Sequence, residues 1–135
     1  MLVLDASAVA ELLLGRAGAA SVAQQMTEHD FDLHAPHLLD VEVLSVLRRI
    51  VTAGDATPER AEEALDDLLA LPLERYPHDV LVRRAWEHRN NFSAYDATYL
   101  ALAEALPRSA PILTADARFA RAAEAHAGVC VVLVG

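Results

Sequence analysis

The chain contains no lysine, and its one cysteine is Cys130. A single cysteine excludes an intrachain disulfide and any zinc site built on several cysteines. It lies in the run Val129-Cys130-Val131-Val132-Leu133-Val134, which predicts a buried strand with Cys130 as a small apolar core residue. Long apolar runs are also missing. None approaches the ~20 residues needed to cross a bilayer. The N-terminal stretch Met1–Leu14 has no basic segment ahead of its apolar residues and carries Asp5 inside them, unlike a secretory signal. The expectation is a soluble, cytoplasmic protein without a membrane association. Repeats, low-complexity tracts and linkers are likewise absent, so one domain spanning residues 1–135 is expected.

What is present is a chain that is 54% apolar, ample for a hydrophobic core, with a formal net charge of −9. Such a charge lowers the expectation of nucleic-acid binding, because phosphate contact dominates that affinity. Two features offset it. All eleven basic residues are arginine, the side chain suited to bidentate phosphate contact. Clustered carboxylates are also what a divalent-cation site requires, and the cation then neutralises them.

Short apolar runs alternate with helical patterns. Strands are predicted at Leu2–Leu4, Asp32–Ala35, Leu73–Arg75, Pro111–Leu113 and Val129–Val134. Helices are predicted at about Ser7–Leu14, Ala19–Glu28, His37–Ala53, Thr57–Leu71, Asp79–Arg89, Ser93–Leu106 and Asp116–Ala127. Thr57 followed by Pro58 is a helix start with a hydroxyl cap and a proline in the first turn. This alternation implies an α/β fold with a central, mainly parallel sheet of about five short strands and helices on both faces. In such sheets ligands bind beyond the carboxyl ends of the strands.

That rule singles out Asp5, directly after the first strand, and Asp116, closely after Pro111–Leu113. Two strand ends thus deliver carboxylates to one sheet edge. Glu42 shares a helical stripe with Ser45 and Arg49 on an otherwise apolar helix, which could aim it at a cleft. Asp96 lies in the first turn of the helix that starts at Ser93. Each has an ordinary alternative: Asp5 and Asp116 as helix caps, Asp96 as part of a capping box, Glu42 as a surface partner of Arg49. Asp40 is two residues from Glu42, so it faces elsewhere and is expected to be structural. His34 and His37 lack paired ligand spacing. Tyr95 and Tyr99, one turn apart, read as core residues.

The segments LVLDASAVAELLL, APHLLDVEVLSVLRR, SAYDATYLALAEAL and PILTADARFARAA, in this order, resemble a PIN domain, and in particular the VapC toxins of bacterial toxin–antitoxin pairs. The resemblance runs from the first strand to the last. It implies a three-layer PIN-like domain and a Mg²⁺-dependent endoribonuclease, with Mn²⁺ as a substitute, whose four acids are Asp5, Glu42, Asp96 and Asp116. Hard divalent cations prefer such oxygen ligands. On this expectation Asp5 and Asp96 are the most direct ligands, and Asp116 completes the site. Glu42 either ligates a second metal or orients the attacking water. Ser7 and Thr114 would hydrogen-bond these carboxylates or the substrate, or else cap helices.

Other α/β phosphoryl-transfer sites fail at named residues. A receiver domain needs a lysine, and a phosphatase of the haloacid dehalogenase type needs a second aspartate where Ser7 stands. A non-catalytic PIN-like binding module and a housekeeping nuclease without an antitoxin are the remaining alternatives. The resemblance further implies a VapB-type antitoxin, an RNA substrate and a homodimer. The helices around Val9–Leu14 and Ala61–Leu71 are candidate antitoxin contacts, and Arg16, Arg48, Arg49 and Arg118 are candidate phosphate contacts.

Overall fold

The computed structural model describes residues 1–135. Five strands, β1 (Leu2–Leu4), β2 (Leu33–Pro36), β3 (Leu73–Tyr76), β4 (Ile112–Thr114) and β5 (Val131–Leu133), form one sheet in the order β3-β2-β1-β4-β5. Every pairing is parallel, as the alternating pattern predicts. All three residues of β1 are fully buried, because this strand lies mid-sheet with helices above and below. An apolar strand without polar alternation is the expected sequence for that position.

Seven helices connect the strands: α1 (Ala6–Leu13), α2 (Ala19–Glu28), α3 (Leu38–Thr52), α4 (Pro58–Ala70), α5 (Val82–Glu87), α6 (Ala94–Ala105) and α7 (Ala117–His126). The chain moves outward from β1 to β3, then returns past β1 to β4 and β5. Right-handed crossovers therefore carry α1–α4 to one face and α5–α7 to the other. Consistent with this, α1 packs on α2, α3 and α4, whereas α5 packs on α6.

Local sequence accounts for the helix starts. Thr57 accepts from the Arg60 N–H at 3.1 Å, and Ser93 accepts from the Asp96 N–H at 3.1 Å. Asp40 faces away from Glu42 and pairs with Arg75 through two oxygens at 2.7 and 3.0 Å, tying α3 to β3. His34 is buried between Asp32 and the Tyr76 hydroxyl, each at 2.7 Å, which is a packing role. His37 lies with its ring centroid 6.1 Å from that of His78, and His78 accepts the Leu38 N–H.

Two expectations about burial are corrected. Cys130 is exposed, because β5 is an edge strand paired on one side only and Cys130 precedes it. Tyr95 is 60% exposed, since it sits in the first turn of α6 before the helix enters the core; Tyr99, one turn on, is buried. The apolar faces of α1 and α4 are largely spent on packing, with Val9, Leu13, Ala61, Ala64 and Leu68 all buried. Leu69 is the large apolar side chain that α4 leaves exposed.

Candidate active site

The strand order reverses between β1 and β4, and both strands end beside an aspartate. Asp5 follows β1 and Asp116 comes two residues after β4, so the pair stands at the crevice where parallel α/β sheets bind ligands. The Asp5 N–H donates to the Leu113 carbonyl at 3.2 Å, which fixes the β1 end against β4.

Asp5 is 7% exposed, and hydrogen bonds hold both of its carboxylate oxygens. Oδ1 accepts from Ser7 Oγ at 2.7 Å and from the Ala8 N–H at 3.0 Å, so Asp5 does cap α1. Oδ2 accepts from the Thr114 hydroxyl. Ser7 and Thr114 hydroxyls lie 3.1 Å apart, and each also accepts a backbone N–H, from Ala115 and Asp116 respectively. Neither hydroxyl caps a helix. Together they bind the start of α1 to the end of β4 and lock the Asp5 rotamer.

Burial pushes the Asp5 carboxyl up to about 6 despite these donors, with a smaller push from Glu42. Asp96 is half-buried and also raised to about 6, first by burial and then by the charges of Asp116 and Asp5. Glu42 is raised by burial and by Asp96, against the hydrogen bond from Tyr99. The four carboxylates therefore share one electrostatic field. No three of the chain's His, Cys, Asp or Glu side chains close on a single point as a ready-made cage. Mg²⁺ does not require one, since it usually takes one or two carboxylates and fills its shell with water and phosphate. An all-oxygen donor set in which Asp5, Glu42 and Asp96 are each raised in part by a neighbouring acid fits a hard cation.

Asp116 is exposed and caps α7, accepting from the Arg118 and Phe119 N–H groups at 2.9 and 3.3 Å. It lines a cleft of about 440 Å³ with Asp96, Asn91, Ser93 and Arg118. A second cleft of about 430 Å³ opens beside Ser7 and Glu42 and is also lined by Arg49 and Tyr95. The larger hollow between α7 and β5, about 740 Å³, contains none of the four acids. Of the four candidate arginines, Arg49 and Arg118 line these two carboxylate clefts, and Arg16 and Arg48 line neither.

A family model for the PIN domain matches residues 2–125. The chain is 43% identical to ribonuclease VapC1 of Mycobacterium tuberculosis over 121 residues, covering 89% of each chain. It is a PIN-domain protein of the VapC ribonuclease family. The PIN fold is also that of M. tuberculosis VapC20, a sarcin-ricin loop cleaving toxin, with a TM-score of 0.67, 19% identity, and coverage of 90% of this chain and 95% of that one. VapBC2 from Rickettsia felis, solved with a DNA fragment from its promoter, matches with a TM-score of 0.58 and 13% identity over 99% and 98% of the two chains.

One member of this PIN site escaped the sequence reading. The Tyr99 hydroxyl donates to Glu42 Oε1 at 2.7 Å, linking α6 to α3. Its ring fits the apolar pattern of a core helix, and nothing in spacing announces a partner 57 positions away. The available signal is chemical: a buried tyrosine hydroxyl must find an acceptor.

Proposed function

We propose that this chain is a Mg²⁺- or Mn²⁺-dependent endoribonuclease, the toxin of a toxin–antitoxin pair, with Asp5, Glu42, Asp96 and Asp116 as its active site. The observation that carries the reading is the field shared by these acids at the switch point between β1 and β4, where Asp5 and Asp96 are both held near 6. A bound cation supplies Lewis-acid stabilisation of the phosphate's charge and a water acidic enough to attack it near neutral pH.

Asp5 and Asp96 would hold that cation, with Asp116 completing the donor set. Ser7 and Thr114 keep the Asp5 carboxylate in one orientation. Glu42 has one oxygen committed to Tyr99, which leaves Oε2 to orient the attacking water and take its proton, or to reach a second cation. Arg118 and Arg49 flank the acids and suit the phosphates on either side of the cut. The purified chain should cut RNA in Mg²⁺ or Mn²⁺ and leave it intact in a chelator; cleavage that persists in the chelator would overturn the metal-dependent mechanism.

Tyr99 acts through Glu42, as a positioning residue. Tyr99→Phe keeps the ring and removes the one donor, so cleavage should fall about 10- to 100-fold, the range for lost outer-shell partners. The urea midpoint of the same variant tells this apart from a packing defect, and should stay close to that of wild type.

This reading includes a small antitoxin whose basic segment enters the acidic site. An arginine brought among the carboxylates would form charge-assisted bonds where the cation binds. A homodimer is the assembly this reading carries, checked by light scattering on the purified chain. Co-expression with a short reading frame found directly upstream of the gene should yield a complex that does not cut RNA.

A further inference from the structure

The cleft beside Ser7 and Glu42 has a composition that metal binding does not explain. Its lining carries the exposed ring of Tyr95 and the apolar side chains of Leu38, Val46 and the exposed Val41. Arg49 borders it and stands outside the ion pairs that engage Arg60, Arg75 and Arg84. Tyr95 directly precedes Asp96, so the ring is tied by one peptide unit to a carboxylate of the active site. Its volume, about 430 Å³, lies within the range of small-ligand sites, roughly 300–1,000 Å³.

We infer that this cleft is a subsite for one unpaired nucleotide of the RNA, its base stacked on Tyr95 and its phosphate met by Arg49. The inference rests on the ribonuclease reading above. Sequence-bearing contacts to RNA are made mostly to single-stranded bases, splayed out and stacked on aromatic rings. An apolar lining with one exposed ring and one uncommitted guanidinium is the chemistry that such a nucleotide requires. Continuity decides the occupant. The cleft shares Ser7 and Glu42 with the active site, and Arg118 lines the neighbouring cleft with Asp96 and Asp116. An RNA strand crossing the carboxylates would thus meet Arg118 in one cleft and the Tyr95 subsite in the other. The bound segment must be unpaired, because a paired base cannot reach the ring.

The test is binding of a fluorescein-labelled single-stranded RNA heptamer to the full chain in a chelator, read by anisotropy, with cleavage in Mg²⁺ measured in parallel. Tyr95 is 60% exposed, so its substitution leaves the core intact. Tyr95→Ala should weaken binding about 5- to 100-fold, the effect of losing one stacked base. It should raise KM by a similar factor and change kcat little. Tyr95→Phe should bind like wild type. Arg49→Ala should lower the salt dependence of binding by about 0.7 in log–log slope, one single-strand phosphate contact.

Undiminished RNA binding by Tyr95→Ala overturns the subsite, whether or not the enzyme cuts. So does a variant that binds RNA normally but loses affinity for the antitoxin, which would give the cleft to a protein partner. Tyr95-dependent binding without any cleavage in Mg²⁺ would leave the subsite standing and sink the nuclease reading instead.

Discussion

Asp5→Asn is expected to cut RNA at least about a thousandfold more slowly than wild type, while its metal-free form unfolds at higher denaturant. The first half follows from charge. A neutral amide is a weaker Mg²⁺ ligand than a carboxylate and offsets none of the cation's charge, and Lewis-acid stabilisation contributes several kcal/mol, or about three powers of ten in rate. The second half follows from burial. Holding the Asp5 carboxyl near 6 instead of 3.8 makes its ionised form costly in the folded chain, by about 3 kcal/mol at neutral pH.

The sign is that of a raised acid. As pH climbs from about 3.8 to about 6, the unfolded chain releases this proton and the folded chain keeps it, so stability falls across that window. In a chelator, urea midpoints should show this contribution in wild type and its absence in Asp5→Asn. A metal-free Asp5→Asn that is less stable than wild type at pH 7 would show that the hydrogen bonds from Ser7, Ala8 and Thr114 outweigh the cost of burying the charge.

The largest stability loss is expected at Phe119. Its side chain is 2% exposed and meets Phe92 edge to face, with centroids 6.3 Å apart and planes at 88°. Phe119→Ala should cost about 3–5 kcal/mol, a substantial share of the 5–15 kcal/mol typical of a native protein. The damage should not stay in the core. The Phe119 N–H also donates to Asp116 Oδ1, and the ring fixes the first turn of α7 on which that carboxylate is held. Cleavage should therefore fall even in the fraction that remains folded. Urea unfolding followed by fluorescence gives the first quantity, and a midpoint shift worth less than about 1 kcal/mol would contradict it.

Two of the four acids were legible in the sequence from strand order alone. Asp5 and Asp116 stand immediately beyond two apolar runs, and parallel α/β topology sends such strand ends to one edge. Glu42 was visible as the polar stripe of an apolar helix, and Asp96 as a first-turn acid. Their convergence needed the family resemblance, because no spacing rule brings α3 and α6 together. The Ser7–Asp5–Thr114 bonds were anticipated in kind, since hydroxyls so close to a carboxylate at adjoining strand ends have few other partners.

The misses also have physical causes. Tyr95 and Tyr99 share a helical face, but Tyr95 lies in the first turn of α6, ahead of its buried residues. Periodicity reports a face and says nothing of where along the axis burial begins. Cys130 sits in an apolar run whose strand occupies a sheet edge, and strand order is decided by tertiary pairing that a local run does not contain. The helix expected over Asp79–Arg89 is shorter, Val82–Glu87, with turns on either side.

The most direct test of the central claim is a Mn²⁺ titration of the purified chain, following free ion by electron paramagnetic resonance. Wild type and Asp40→Asn should bind the ion alike, because Asp40 is committed to Arg75 and faces away from Glu42. Asp5→Asn and Asp96→Asn should lose that binding. Equal binding by all four proteins would contradict the account, since the carboxylates at the switch point would then not be what holds the metal.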